Sequence, residues 1–377
     1  MIINIHFLIV VSIFSCFLSE PLGFKIYPIL FFLFILNFFP TVFEKKIHLC
    51  ESLLLLLIIT SLISLITHEY YDYYYIFKYF LNLIFLLTAS MYLLSLRAEQ
   101  KIISNVKTFS LFVLYVILLL FFIYYFYEND INGLSLADIY RNRYVYAYNA
   151  TAKVFFLPIQ KNTVAAVSLL LFFIIHRIYS IKNISFNYLF LILFFIFQFL
   201  LGSLTAFISL CVFYILKFDF LFKQKLYDLF IIVMIIFYLI FFILATNISE
   251  LQAQNFDFFN YGMVLGGGFE RILMFHKVIQ NITFFGNGVH SFSLFHNEFS
   301  TPFLHNIFIQ QLHEFGLIGL CLSFFYIYFA FKRFSLRYSL PALIIFSTQF
   351  SISEIWLIMY ILIMFIINSS SIRSFNG

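Results

Sequence analysis

Apolar residues run along this chain in blocks, and polar residues mark the gaps. Twelve blocks stand out, at about 2–19, 25–43, 51–67, 75–96, 108–127, 154–175, 187–201, 203–217, 226–246, 305–331, 338–353 and 355–370. A bilayer span needs about 20 apolar residues, within a range of roughly 17–25. The blocks at 187–201 and 203–217 are short and meet at Gly202-Ser203, which predicts a tight hairpin, and the last two meet around Glu354. Two gaps are long, 128–153 and 247–304, and only the second is large enough to hold structure of its own. Within it Phe269, Ile272, Leu273, Ile279 and Ile282 recur near helical spacing, opposite Glu270, Arg271, Lys277, Gln280 and Asn281. This predicts a short amphipathic helix near the membrane surface, ended by a turn at Asn287-Gly288. No internal repeat is visible, nor the matched Gly/Pro-broken helices of repeat-built transporters.

Composition leads to the same class. Hydrophobic residues make up 63% of the 377 and charged residues 10%, against about 25% charged in a soluble domain. Mean hydropathy is +1.01. Too few polar residues exist to cover such a chain in water. The expected fold is an all-α polytopic membrane protein of about twelve transmembrane helices, a single transmembrane domain over 1–377. The cysteines, Cys16, Cys50, Cys211 and Cys321, show no C-x-x-C spacing and read as small hydrophobes.

The few charges then set orientation. With the N-terminus inside, 14 of the 22 basic residues fall in inner connections, among them Lys45, Lys46, Arg97, Lys101, Arg177, Lys223, Arg333 and Arg337. The acids lean outward. The basic residues follow the positive-inside rule, the acids agree with it, and together they place both termini in the cytoplasm. The net charge of +5 reflects this topology; no basic patch of the kind that tracks phosphates along a strand occurs, so nucleic acid is not a partner.

The chemistry concentrates in the outer segment and the span after it. His305-Asn306 opens that span, and Asn306, Gln310, His313 and Glu314 follow i, i+4, i+7, i+8 spacing, so they share one face. Such side chains are expensive in lipid and should face the bundle interior or a wet cavity. GGGFER, from Gly266, lacks the Lys-Ser/Thr ending of a phosphate loop. His276, His290, His296, His305 and His313 cluster in sequence, but without metal-ligand spacing they read as solvated or interfacial histidines, and no metal site is expected.

Arg271 on an amphipathic helix, the Phe285-Gly286-Asn287-Gly288 turn, and then Leu304-His305-Asn306 through Leu312, Glu314, Gly316-Leu317 and Gly319 resemble the O-antigen ligase and O-antigen polymerase superfamily of bacterial envelope glycan assembly. Lys161-Asn162 with Ala165-Ala166, and Ser353-Glu354 with Trp356, resemble two further family segments. The resemblance implies a GT-C-like fold with one large periplasmic loop at 247–304 and a second at 128–153. It implies an inner-membrane enzyme that transfers a glycan from undecaprenyl diphosphate to a sugar hydroxyl, with inversion and without a metal or other cofactor. It carries the catalytic roles to Arg271 and His305. Arg141, Arg143, Lys161, Asn306, Gln310 and Glu314 are expected to line the substrate site; a buried ion pair of Lys161 with Glu314 or Glu354 is the alternative for that lysine. A chain-length regulator and a flippase are the candidate protein partners. Leu204 stands where ligases carry an arginine, which tilts the reading to the polymerase over the ligase. A glycolipid flippase is the alternative of a different class.

Physically, a departing diphosphate needs a fixed cation, and the planar guanidinium of Arg271 suits it. The attacking hydroxyl needs a proton acceptor, and histidine suits neutral pH, with Glu298 and Glu314 as further candidates. Orientation is testable with a membrane-impermeant maleimide on intact cells. Arg141→Cys and Lys277→Cys should be labelled, whereas Lys45→Cys and Lys101→Cys should be shielded until the membrane is permeabilised. Labelling of the Lys45→Cys protein in intact cells would invert the topology.

Overall fold

The computed structural model describes residues 4–18, 24–40, 47–66, 72–95, 99–129, 136–154, 161–182, 184, 188–216, 268–292, 304, 306–349 and 351–371. The expected ninth span, 226–246, and His305 lie outside them. Every regular element among the described residues is helical: α1 (Ile5–Phe14, continued by a 3-10 turn, Ser15–Leu18), α2 (Tyr27–Phe38), α3 (Leu49–Ile66), α4 (Tyr73–Ser95), α5 (Gln100–Tyr127), α6 (Leu136–Thr151), α7 (Lys161–Ile181), α8 (Tyr188–Leu201), α9 (Leu204–Ile215), α10 (Gly268–Gln280), α11 (Ile307–Lys332), α12 (Leu336–Gln349) and α13 (Ile355–Ser371).

Burial sorts these helices into centre and rim. α7 is buried at every residue from Val164 to Ile175, and α13 at every residue from Ile355 to Ile367. A helix apolar all round belongs inside a bundle. α5 is two-faced. Val106, Ser110, Val113, Ile117, Phe121 and Tyr125 are buried, while Phe109, Phe112, Leu119, Ile123 and Phe126 point outward, 41–61% exposed. Left in water, that outer stripe would cost about 25 cal/mol per Å²; lipid removes the cost. α3, α4, α5, α7 and α11 are each long and apolar enough to cross a membrane. Gly202 takes a left-handed φ of 61° between α8 and α9 and makes the expected tight hairpin.

α3 and α11 run antiparallel, the most extensive helix pair among the described residues. At one end the Ser64 hydroxyl donates to the Glu314 carbonyl at 2.9 Å. At the other, Arg333 meets the buried Glu51 carboxylate at 3.4 Å. Near that second end Arg177 donates to Asn368 at 3.1 Å, and His176 bonds the Tyr338 hydroxyl at 3.0 Å. Because helices in lipid gain nothing from hydrophobic burial against each other, the Ser64 and Glu51 contacts fix the register of α3 on α11, and the other two tie α7 to α12 and α13.

Three elements depart from the sequence reading. The 128–153 segment holds a helix, α6, which buries Ala147, Ala150 and Thr151 at i, i+3, i+4 spacing; its Tyr- and Asn-rich sequence hid that narrow face from a hydropathy scan. α10 buries Met274, Phe275 and Val278 against Ile309 and Leu312 of α11, so protein takes this face. It also ends at Gln280, well before Asn287-Gly288. α11, expected as one unbroken span, is broken at Gly316, whose φ of 68° and ψ of −162° are non-helical.

The break is what the Gly-rich turn serves. Residues 283–288 run antiparallel alongside it. The Asn287 N–H donates to the His313 carbonyl and the Gly288 N–H to the Glu314 carbonyl, both at 2.9 Å, and the Leu317 N–H donates to the Thr283 carbonyl at 3.3 Å. Gly286 and Gly288 have φ of 83° and 95°. A Cβ on Gly286 would strike the Glu314–Phe315 backbone, and one on Gly316 the Phe284 backbone. Gly286→Ala and Gly316→Ala therefore combine left-handed strain, roughly 1–3 kcal/mol, with a backbone clash. Each should lower the melting temperature of the detergent-purified protein measurably more than Leu119→Ala on the outer face. Melting curves that coincide with wild type would refute the clasp.

Candidate functional site

A polar cleft opens beside this clasp. It is lined by Tyr75, Lys78 and Tyr79 of α4, Val289 and His290, Gln310 and Glu314 of α11, and Ser351, Ser353 and Glu354 of the turn before α13. It is a shallow, half-open cleft; counting the space open at its mouth, it measures about 360 Å³.

α4 supplies one wall because Tyr75, Lys78, Tyr79 and Asn82 follow i, i+3, i+4, i+7 spacing and share a face. Asn82 donates to the Ser353 carbonyl at 2.7 Å, which holds the 351–354 turn against this helix. Lys78 reaches Glu354 at 3.8 Å, with both side chains about a quarter exposed. Tyr79 exchanges a hydrogen bond with Ser61 at 3.1 Å.

α11 supplies the opposite wall. Asn306 caps it by accepting from the Phe308 and Ile309 N–H groups, both at 3.0 Å. One and two turns on, Gln310 and Glu314 project from the same face. Gln310 Nε2 donates to Glu314 Oε1 at 2.9 Å, and the His290 backbone N–H donates to the same oxygen at 3.0 Å. Both bonds fall on Oε1, and Glu314 has no ion pair among the described residues. His290 adopts a left-handed φ of 61°. Its ring stacks on Tyr75 with centroids 3.7 Å apart and planes 11° apart.

Of the expected site residues, the structure brings Gln310 and Glu314 to the cleft. Asn306 belongs to the helix start, where its amide is a cap. Lys161 opens α7 and does not line the cleft. The expected alternative, a Lys161 pair with Glu314 or Glu354, is not formed: Glu354 pairs with Lys78, and Glu314 is bonded by Gln310 and His290. Arg141 and Arg143 lie on α6 and Arg271 on α10, one turn before the Met274–Phe275 contact, but their side chains lie outside the described residues, as do His305 and Glu298. Lys78, Tyr75 and His290 line the cleft without being among the expected site residues. Lys78 carried the signal to find it, a charge inside an apolar span. Tyr75 was hidden in an interfacial-looking tyrosine run, and His290 in a scatter of histidines. Among the described residues no three His, Cys, Asp or Glu side chains stand close enough to hold a metal ion.

The chain matches no family model, no curated protein and no solved structure.

The cleft can accept hydrogen bonds from a ligand through two carboxylates, donate through Lys78 and Gln310, and offer tyrosine faces. Burial holds the His290 imidazole below its ordinary pKa of 6.5; Lys78 acts in the same direction and Asp72 against it. A group with a lowered basic pKa takes up more protons when unfolded, so its contribution to stability is present above about 6.5 and is lost as pH falls below it. Stability of the purified protein should therefore drop between pH 7.5 and 5.5. His290→Phe, which keeps a ring beside Tyr75, should flatten part of that drop; an unchanged pH slope in this variant would remove His290 from the linkage.

Proposed function

We propose that this chain is an O-antigen polymerase. In this reading twelve spans place both termini in the cytoplasm of a bacterium, and the cleft opens on the periplasmic face of the inner membrane. There the enzyme joins undecaprenyl diphosphate-linked repeat units into a longer chain, as an inverting glycosyltransferase without a metal.

One observation carries the reading. Among the described residues, the Gly286–Gly288 turn and the stretch from Asn306 to Gly316, which carry part of the family resemblance, meet in three dimensions although they come from two sequence segments. Gly286, Asn287 and Gly288 dock on the break made by Gly316. Leu304 packs in one apolar cluster with Leu312, Asn306 caps the helix, and Glu314 faces the cleft. A motif whose members fix the break in α11 and so the position of Glu314 is under a stronger constraint than an apolar helix needs. The rest of the reading comes from chemistry. The diphosphate requires cations placed where its charge develops, and Arg271 on α10 is the first choice, with Arg141, Arg143 and Lys161 behind it.

Deletion of the gene tests this directly. A polymerase null leaves single repeat units on the lipid A-core, while a ligase null leaves none and accumulates lipid-linked polymer. Complementation with Arg271→Ala should leave the single-unit pattern while the protein still inserts at wild-type level. Full-length ladders from that variant would defeat the assignment of Arg271.

The break at Gly316 favours a second reading. Transporters bind substrate at discontinuous helices, and buried carboxylates such as Glu314 serve proton relays. Proteoliposomes loaded with lipid-linked repeat units separate the two: chain growth without an ion gradient fits the polymerase, and lipid translocation without chain growth fits a glycolipid flippase.

A further inference from the structure

We infer that the cleft between α4, α11 and the 351–354 turn is the subsite for the acceptor sugar, and that Glu314 takes the proton from its attacking hydroxyl. The second half rests on the polymerase reading; the first does not.

The charge pattern selects the ligand. The described lining holds two carboxylates, Glu314 and Glu354, against one lysine already paired with Glu354. A diphosphate placed here would meet two like charges for one engaged cation, and like charges in a partly buried site repel strongly. A neutral, polyhydroxylated ligand meets no such penalty. Hydroxyl groups donate well to carboxylates, and Gln310, Ser351 and Ser353 add short polar contacts. Tyr75, with one face stacked on His290, supplies apolar ring surface with a polar tip at the same place. Such a mixture suits a sugar ring, which is apolar on its C–H faces and polar at its edge.

The bonding of Glu314 selects its role. Gln310 Nε2 and the His290 N–H both hold Oε1, at 2.9 and 3.0 Å. Oε2 takes neither bond, and among the described residues no cation neutralises the group. One oxygen is thus anchored by neutral donors and the other is left to the cleft, which is the arrangement a fixed proton acceptor needs. In the transfer the acceptor hydroxyl oxygen bonds to the anomeric carbon. The bond from that carbon to the diphosphate oxygen breaks, the diphosphate leaves with the electron pair, and the hydroxyl proton passes to Glu314 Oε2. The diphosphate is then held elsewhere, by cations outside this lining.

Two readouts on the full-length protein in nanodiscs test this. The chain's one tryptophan, Trp356, stands two residues past Glu354, buried, with its ring centroid 5.2 Å from that of Phe17. Its emission should change saturably on titration with the de-lipidated repeat oligosaccharide of the producing strain. Tyr75→Ala should weaken that response at least tenfold, by the scale of a lost aromatic contact, and inorganic pyrophosphate should not reproduce it. With lipid-linked repeat units as substrate, Glu314→Gln, whose amide oxygen still accepts from Gln310 and His290, should lower kcat for chain growth by about 10²–10⁴-fold with little change in acceptor KM. No saturable response, or one equal in Tyr75→Ala, overturns the sugar subsite. Wild-type kcat in Glu314→Gln overturns the proton step. Saturable binding by a wild-type protein that extends no chain sinks the polymerase reading and the proton step together, and leaves the sugar subsite standing.

Discussion

Everything at this end of the molecule depends on a helix that is broken inside an apolar bundle. A free carbonyl or N–H in hydrocarbon costs several kcal/mol, so a break at Gly316 can persist only if other groups take up the backbone it releases. The 283–288 segment does so: Asn287 and Gly288 take the carbonyls of His313 and Glu314, and Thr283 takes the Leu317 N–H. Only glycine fits at 286 and 316, where a side chain would enter the other strand's backbone. The clasp fixes where α11 turns, and with it where Gln310 and Glu314 stand. It also brings His290 round to Glu314 Oε1 and to the Tyr75 ring. The cleft is a consequence of this backbone repair.

That dependence explains why few polar residues suffice. The central helices α7 and α13 are buried and almost wholly apolar, and α5 shows lipid a stripe of Phe, Leu and Ile. They supply a scaffold with little chemistry. Function is left to the places where a charge or a broken ladder is tolerated because something answers it: Lys78 with Glu354 and Glu314 with Gln310 at one end, Glu51 with Arg333 at the other. Under the proposed function the two ends have different tasks. The inner end holds the bundle in register, and the outer end receives substrate.

The all-helical, apolar character of the chain was legible in the sequence because apolar blocks and glycine turns are local signals. The hairpin at Gly202 could be read from Gly202-Ser203 alone, whereas Asn306, expected to line the site, caps its helix instead. The shared face of Gln310 and Glu314 followed from helical spacing alone. What stayed hidden were features made by contact between distant segments. Gly316 looks like one small residue in an apolar run until Thr283–Gly288 lies beside it. Lys78 and Glu354 are 276 positions apart, and no periodicity pairs them. α6 was missed because its packing face is two alanines and a threonine, too small to register as apolar.

The central physical claim is that residues 283–288 are locked to the broken helix. Hydrogen exchange on the purified full-length protein measures this at the amides concerned. The N–H groups of Asn287 and Gly288 should exchange as slowly as those within α11, and both should become fast when Gly286→Ala forces the loop off the break. Exchange of these amides in the wild-type protein at the rate of an unstructured peptide would contradict the clasp, and with it the geometry assigned to Glu314 and the cleft.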